Sequence, residues 1–365
     1  MKHILFITMW IAFSQAFQAQ NYHFLVGTYT NTGKSQGLYS YELNGKTGVV
    51  TQKSVATGVS NPSFLCVTPD RKFVYSVNES ADGSAANAFS LNPKTGELTL
   101  LNRSLTNGKG PCFISATPKH VFTANYGGGS LSVFARKADG SLSDLKQKVQ
   151  HSGLSINLDR QAEPHVHQVL VTKDIRFVLA NDLGTDKVTV YKYNPDAVDE
   201  ILTPWDTLDV KKGSGPRHIV FSRNGKLAYL VQELDGTVSV LSLKNGKLDL
   251  LQETTLISDP KQKAWAADIH LSPDGKFLYA TNRAPANNIT CYNVLKDGRL
   301  EHYFMISTRG DGPRNFALTP DGKFLLVAHQ FSNNIVIFKR DTKTGILTDT
   351  GERIEVGAPV CLVFY

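Results

Sequence analysis

The sequence is short of helical patterning, of cysteine and of long apolar runs. Apolar residues at the three- and four-residue spacing of an amphipathic helix are nearly absent, which argues against bundles and alternating α/β folds. Only four cysteines, Cys66, Cys112, Cys291 and Cys361, occur in 365 residues. Their spacings match no metal motif, and a chain of this size needs no disulfide staples, so buried free thiols are expected. Beyond the first residues no stretch is apolar enough to span a bilayer. A basic block is also missing. The formal charge is +7, but lysines and arginines are scattered, without the stripe and interleaved aromatics that nucleic-acid binding requires. No Gly-x-Ser-x-Gly elbow supplies a serine nucleophile. Gly127-Gly128-Gly129 opens a hairpin, not a helix, so it is no phosphate loop.

What is present begins with Met1-Lys2-His3, an apolar run from Ile4 to Phe13, and small residues at Ser14, Ala16 and Ala19. That pattern is a short signal peptide over residues 1–19. It implies export, to the periplasm or the exterior, and a mature chain over 20–365. The absence of cysteine near the cleavage point leaves no site for a lipid anchor.

Aromatic and β-branched residues and recurrent turns such as Pro-Asp-Gly-Lys make an all-β composition. Strand starts recur at Pro62, Pro111, Pro164, Pro216, Ala266, Pro313 and Pro359, in steps of 46 to 53 residues. Each unit then carries a turn, often (Thr/Ser)-Pro-Asp-Gly-Lys, and a second strand ending near Asn78, Asn125, Asn181, Gln232, Asn282 or His329. Two further strands follow. Four short antiparallel strands per unit of about fifty residues describe a propeller blade. The seventh anchor, at Pro359, has room for one strand only. Phe24–Thr28, Gly37–Leu43 and Val49–Thr57 read as the missing three. A seven-bladed β-propeller is therefore expected, as a single domain over 20–365, its ring closed by pairing the N- and C-terminal strands.

Seven near-copies provide an internal control. A position alike in every blade is structural, and one where a blade spends a costly residue is a functional candidate. After the anchor stand Ser63, Cys112, His165, Arg217, Ala267, Arg314 and Val360. After the end of the second strand stand Glu79, Tyr126, Asp182, Glu233, Arg283 and Gln330. The first strand lines the channel, so both rings face one mouth. His165, His167, Arg217, Glu233 and Arg283 are the catalytic candidates. His218, Arg314, Tyr126 and Asp182 are expected to bind substrate. Clustered arginine is costly unless an anion comes to it, so the expected partner is a small anionic molecule. No cofactor is required. His-Val-His at 165–167 has metal-ligand spacing, and Asp182 and Glu233 are the carboxylates that would complete a site for a divalent ion in the channel, but no third ligand is fixed beside it.

Several of these stretches resemble one family. They are Asn125-Tyr126-Gly127-Gly128-Gly129-Ser130, Pro164-His165-Val166-His167, Gly215-Pro216-Arg217-His218 with Glu233 beyond, Tyr279-Ala280-Thr281-Asn282-Arg283 and Gly312-Pro313-Arg314-Asn315-Phe316. They are similar to motifs of the seven-bladed lactonases, which include propeller-type 6-phosphogluconolactonases and fungal 3-carboxy-cis,cis-muconate lactonizing enzymes. The resemblance spans the mature chain. It implies lactone hydrolysis by a site of one His, two Arg and one Glu, falling on the His165/His167 pair, Arg217, Glu233 and Arg283. A cycloisomerase or a non-catalytic anion- or sugar-binding propeller are the alternatives. 6-Phosphogluconolactone is a cytosolic metabolite, whereas this chain reads as exported, so an unphosphorylated sugar lactone or an aromatic-catabolism lactone suits it equally well. A monomer is expected.

Overall fold

The computed structural model describes residues 20–80, 82–259 and 261–365. The expected signal peptide lies outside these residues. Seven four-stranded antiparallel sheets form the chain. Blades 1 to 6 start at Leu65, Pro111, Val166, Pro216, Ala266 and Pro313. The seventh sheet joins Pro359–Phe364 to Asn21–Thr28, Leu38–Asn44 and Val50–Ala56. Pairs such as Leu25 with Val363 and Val26 with Leu362 close the ring, so neither chain end leaves a long open edge.

The turn after each first strand explains the repeat. In five blades a Ser or Thr hydroxyl donates to an Asp or Asn two residues on and accepts the N–H that opens the second strand. These groups are Thr68/Asp70/Phe73, Thr172/Asp174/Phe177, Ser222/Asn224/Leu227, Ser272/Asp274/Phe277 and Thr319/Asp321/Phe324. The side chains replace strand pairing where the chain reverses.

Apolar side chains alternate along the strands and fill the spaces between neighbouring sheets. Phe177, Leu179, Val188, Ile219, Ala228 and Leu230 form one such layer between blades 3 and 4. The innermost strands have no neighbour on their axial side, so their free N–H groups need other partners. Side chains of the preceding blade supply them. Gln168 accepts from Ile219 N at 2.6 Å, Asp268 from Phe316 N at 3.3 Å and Asn315 from Leu362 N at 2.7 Å. All four cysteines are free. Among the described residues no helix is long and apolar enough to cross a membrane.

Candidate active site

The first strands are irregular at one point. In blade 4 Pro216 pairs with Gln232 and His218 with Val231, so Arg217 is left between them as a bulge. The same step occurs at Cys112 and at Arg314. A bulged residue leaves the ladder, and its side chain is re-aimed. Here the bulged Arg217, Arg314 and Cys112 come together at the axis around one small void.

Blade 3 departs from the spacing read from its prolines. Val166 pairs with Asp182 and Gln168 with Asn181, so the bulged residue is His167. Val166, not Pro164, holds the anchor position. Leu183 N bonds to His165 O just as Glu233 N bonds to Gly215 O and Tyr126 N to Gly110 O. His165 therefore occupies the place of Gly215, at the rim. Its ring stacks on Tyr126 with centroids 4.4 Å apart, and its Nδ1 lies 2.9 Å from Tyr126 O. The second strand shifts by one as well. Asp182 takes the place of Asn125 and Gln232, and Leu183 takes that of Tyr126 and Glu233 but is fully buried. Asp182 is fully buried and accepts from His165 N, Gly184 N and His151 Nδ1. Its oxygens hold the framework of the blade, not the cavity expected for it.

The two rings converge on a cavity of about 190 Å³ lined by Glu79, Tyr126, Arg160, His167, Glu233, Trp265, Arg283 and Arg314, with Cys112 at its base. Sites for drug-sized ligands run to about 300–1,000 Å³, so this one suits a smaller molecule. Two wider grooves of about 560 and 570 Å³ lie on the outer parts of blades 3 and 4, around Arg176 and Phe177, away from this cluster.

Glu233 is the electrostatic centre. Arg217 Nε and Arg283 NH2 each lie 2.9 Å from its Oε2, and Arg160 NH2 lies 2.6 Å from its Oε1. Burial alone would raise its pKa, but Arg283, Arg217 and Arg160 outweigh burial and hold the carboxyl far below the usual range. Arg283 also donates to Trp265 O at 3.1 Å and Ala266 O at 3.2 Å, and its guanidinium lies 4.2 Å from the Trp265 ring. Glu79 behaves in the opposite way. Burial pushes its pKa up, against the pull of Arg314. It accepts from Tyr29 OH and from Ser63 Oγ. Arg314 lies 5.6 Å from the Tyr29 ring and makes no ion pair within 4 Å among the described residues. His167 is held well below its usual pKa, by burial first and then by Arg217, His218 and Arg314. It is a neutral imidazole at pH 7.

His218 lies one layer deeper than expected. Its ring packs against Phe64, Phe113 and His167, and its Nδ1 is 2.8 Å from Asp268 Oδ1. It does not line the cavity. Sequence reasoning missed Arg160, Glu79, Tyr29 and Trp265 as site residues. Glu79 stood in the second ring and was passed over. Arg160 sits on a single helical turn, Leu158–Gln161, in the connector between Gln150 and Val166, the longest between blades. Its length was the available signal. Among the described residues no group of three His, Cys, Asp or Glu is arranged to hold a metal.

The buried histidines predict an acid sensitivity. Burial holds His218 and His329 at about 4, and His167 also stays neutral. In the unfolded chain each titrates near about 6.5. Between these values the unfolded state binds more protons, so stability falls as the pH falls. His270 works the other way, since Asp268 raises its pKa despite burial. Glu233 and Asp268 are depressed and contribute fully above about pH 4. The melting temperature should therefore drop between pH 7 and pH 4.5. A flat melting temperature by circular dichroism would contradict the burial of these rings.

A family model described as "Lactonase, 7-bladed beta-propeller" matches residues 23–364. The chain belongs to the seven-bladed lactonase family. Its relatives in that family include a 6-phosphogluconolactonase of Formosa agariphila, 37% identical over 348 residues, 93% of this chain and 98% of that protein. A 6-phosphogluconolactonase of Bacillus subtilis is 34% identical over 346 residues, 93% of this chain and 97% of that one. The solved structure of a periplasmic gluconolactonase of Pseudomonas aeruginosa superposes with a TM-score of 0.90 at 36% identity, covering 94% of this chain and 99% of that one. The lactonase match includes the three blades that carry the expected catalytic residues, so the cavity sits inside the shared fold.

Proposed function

We propose that this lactonase opens a sugar lactone, anionic already if phosphorylated and anionic in any case once opened, by water attack in the channel cavity lined by blades 1 to 6. The observation that carries this reading is the charge pattern around the mouth. Arg160, Arg283 and Arg314 line the cavity against Glu79 and Glu233, Arg217 lies just beneath, and among the described residues Arg314 has no ion-pair partner. An unpaired guanidinium beside a neutral imidazole fits a substrate that brings its own negative charge and a carbonyl to be attacked.

His167 takes a proton from water as the water oxygen bonds to the lactone carbonyl. Arg283 and Arg217, already fixed by Glu233, face the developing oxyanion. Glu233 itself is too strongly paired to act as a base. As the ring C–O bond breaks, the leaving oxygen takes up the proton that His167 accepted from the water, which returns the imidazole to its neutral form. The products are the open-chain hydroxy acid and, after its ionisation, one released proton. Arg314 and Arg160 hold the anionic end of the substrate. His165, stacked on Tyr126, shapes the rim.

The sugar is a hexonolactone, phosphorylated or not. The relatives' names support both. Arg314, which forms no ion pair among the described residues, favours the phosphorylated one, which alone is charged before the ring opens, whereas the signal-peptide pattern at the N-terminus and the periplasmic Pseudomonas relative favour the neutral, unphosphorylated one. A pH-stat assay with 6-phosphoglucono- and glucono-δ-lactone decides between them. Replacement of Arg314 by methionine removes one charged hydrogen-bonding partner, worth about 1.5–3 kcal/mol. KM for the preferred lactone should rise about tenfold to a hundredfold, with kcat changed less. An unchanged KM would remove Arg314 from the site. No turnover above the spontaneous rate with either lactone would overturn the reading as a hydrolase.

A further inference from the structure

Below the cavity lies a second, much smaller space of about 10 Å³, bordered by His167, His218, Arg217, Cys112 and Phe64 among others. That is about the room one water needs, provided it finds polar partners. Two such partners are present. His167 Nδ1 and His218 Nε2 are both buried and have no hydrogen-bond partner among the described residues. The two rings meet edge to face, with centroids 5.1 Å apart at 72°.

The tautomer of His218 follows from its other nitrogen. Nδ1 lies 2.8 Å from Asp268 Oδ1. Asp268 also accepts from Asn315 Nδ2 at 2.6 Å and Phe316 N at 3.3 Å, and its Oδ2 is 2.9 Å from His270 Nε2. A carboxylate can only accept, so His218 carries its proton on Nδ1 and presents a bare Nε2. A bare, buried nitrogen requires a donor.

We propose that one buried water bridges His218 Nε2 and His167 Nδ1, so that Asp268 and His218 act through it as positioning residues for His167. The water donates one proton to His218 Nε2 and accepts the Nδ1–H of His167. His167 borders both the void and the cavity. With its proton held on Nδ1, its Nε2 lone pair is left for the cavity, where the attacking water is deprotonated. The chain of hydrogen bonds thus runs from Asp268 on blade 5 through blade 4 to the base on blade 3. This deepens the lactonase reading and rests on His167 being the proton acceptor.

The test is nitrogen-15 NMR of the histidines in the full-length protein, alongside steady-state kinetics. Asp268→Asn keeps an oxygen for Asn315 and Phe316 but offers an N–H to His218 Nδ1. His218 then moves its proton to Nε2, the water turns round, and His167 becomes protonated on Nε2. The wild-type protein should show His167 as the Nδ1–H tautomer, and Asp268→Asn should show it as Nε2–H. In the latter kcat should fall at least about tenfold, as for a wrong tautomer behind a serine protease base, with KM little changed. His218→Phe is the second variant. Phe64 and Phe113 occupy the same position in blades 1 and 2, so the packing tolerates it, and the loss in kcat should be similar. A wild-type His167 protonated on Nε2, or an unchanged kcat in both variants, overturns the proposal. The tautomer is read without turnover, so a protein that opened no lactone would defeat the hydrolase reading and leave this inference to the spectrum alone.

Discussion

Replacement of His167 by alanine is expected to lower kcat for lactone opening about 10²- to 10⁴-fold, the usual worth of a positioned general base. Replacement of His165 by alanine should cost less than about tenfold in kcat, because it removes a stacking contact at the rim and no reacting group. The difference follows from one backbone irregularity. The bulge in blade 3 turns His167 to the cavity beside Arg217 and Arg314, and leaves His165 against Tyr126. Both variants should fold. His167 packs by ring edges against Tyr126 and His218 and, among the described residues, makes no side-chain hydrogen bond to the protein, so its removal leaves no protein group without a direct partner. Steady-state kinetics on the preferred lactone, with melting curves as the control, read the difference. If His165→Ala proved the damaging variant, the register drawn for blade 3 would be wrong.

Replacement of Glu233 by alanine should have the largest effect on stability. It strips the counter-charge from Arg217 and Arg283, whose side chains are each only 2% exposed. Breaking a buried pair by removing one partner costs about 3–5 kcal/mol, because the remaining charges stay in the interior. Two buried guanidiniums share this carboxylate with the more exposed Arg160, so the upper end is expected. Urea denaturation should show the midpoint falling at constant slope. Glu233→Gln keeps acceptor oxygen for one guanidinium and should cost less. An anion that enters the cavity should restore part of the loss, since a ligand that binds only the folded state stabilises it by mass action. Added phosphate should therefore raise the midpoint of Glu233→Ala more than that of the wild-type protein. Equal shifts would mean that the guanidiniums are not open to the ligand.

Most of the architecture could be read from the chain because its causes are local. The turn built on a hydroxyl and an Asp or Asn recurs with the same spacing, since the two hydrogen bonds of its hydroxyl fix it, and it marks the second strand wherever it occurs. Closure of the ring followed from the lone strand at Pro359 and the three strands near the N-terminus, which the structure pairs. The error in blade 3 also has a local cause. In blades 2, 4 and 6 a glycine with positive φ, such as Gly215 at 68°, precedes the proline. A Cβ there would meet Leu234 at 2.7 Å, so glycine and proline stay together. Blades 3 and 5 enter through His165 and Trp265 at ordinary φ, which frees the next position from proline. Pro164 then belongs to the connector, and aligning by proline displaced the first strand by two residues and the second by one. The distance of four residues from Gln168 to Thr172, matching His218 to Ser222, was the better ruler.

The site was legible where it depends on strand position and hidden where it depends on reach. Arg217, Glu233, Arg283 and Arg314 stand at repeated positions and come together as expected. Arg160 reaches Glu233 from a connector that has no counterpart in other blades. The opposed behaviour of Glu79 and Glu233 depends on how many guanidiniums surround each one, and that is decided by three-dimensional distance. His218 looked like a mouth residue from its neighbour Arg217. Its side chain turns instead toward Asp268 of the next blade, because a residue beside a bulge faces the adjoining sheet.

A crystal structure with a six-carbon aldonic acid, the product of hexonolactone opening, addresses the central claim most directly. The account predicts the product carboxylate within hydrogen-bonding distance of Arg283, its oxygens near His167, and its far end beside Arg314. Density for the acid on the outer groove around Arg176 and Phe177, with the channel cavity free of it under saturating conditions, would contradict that claim.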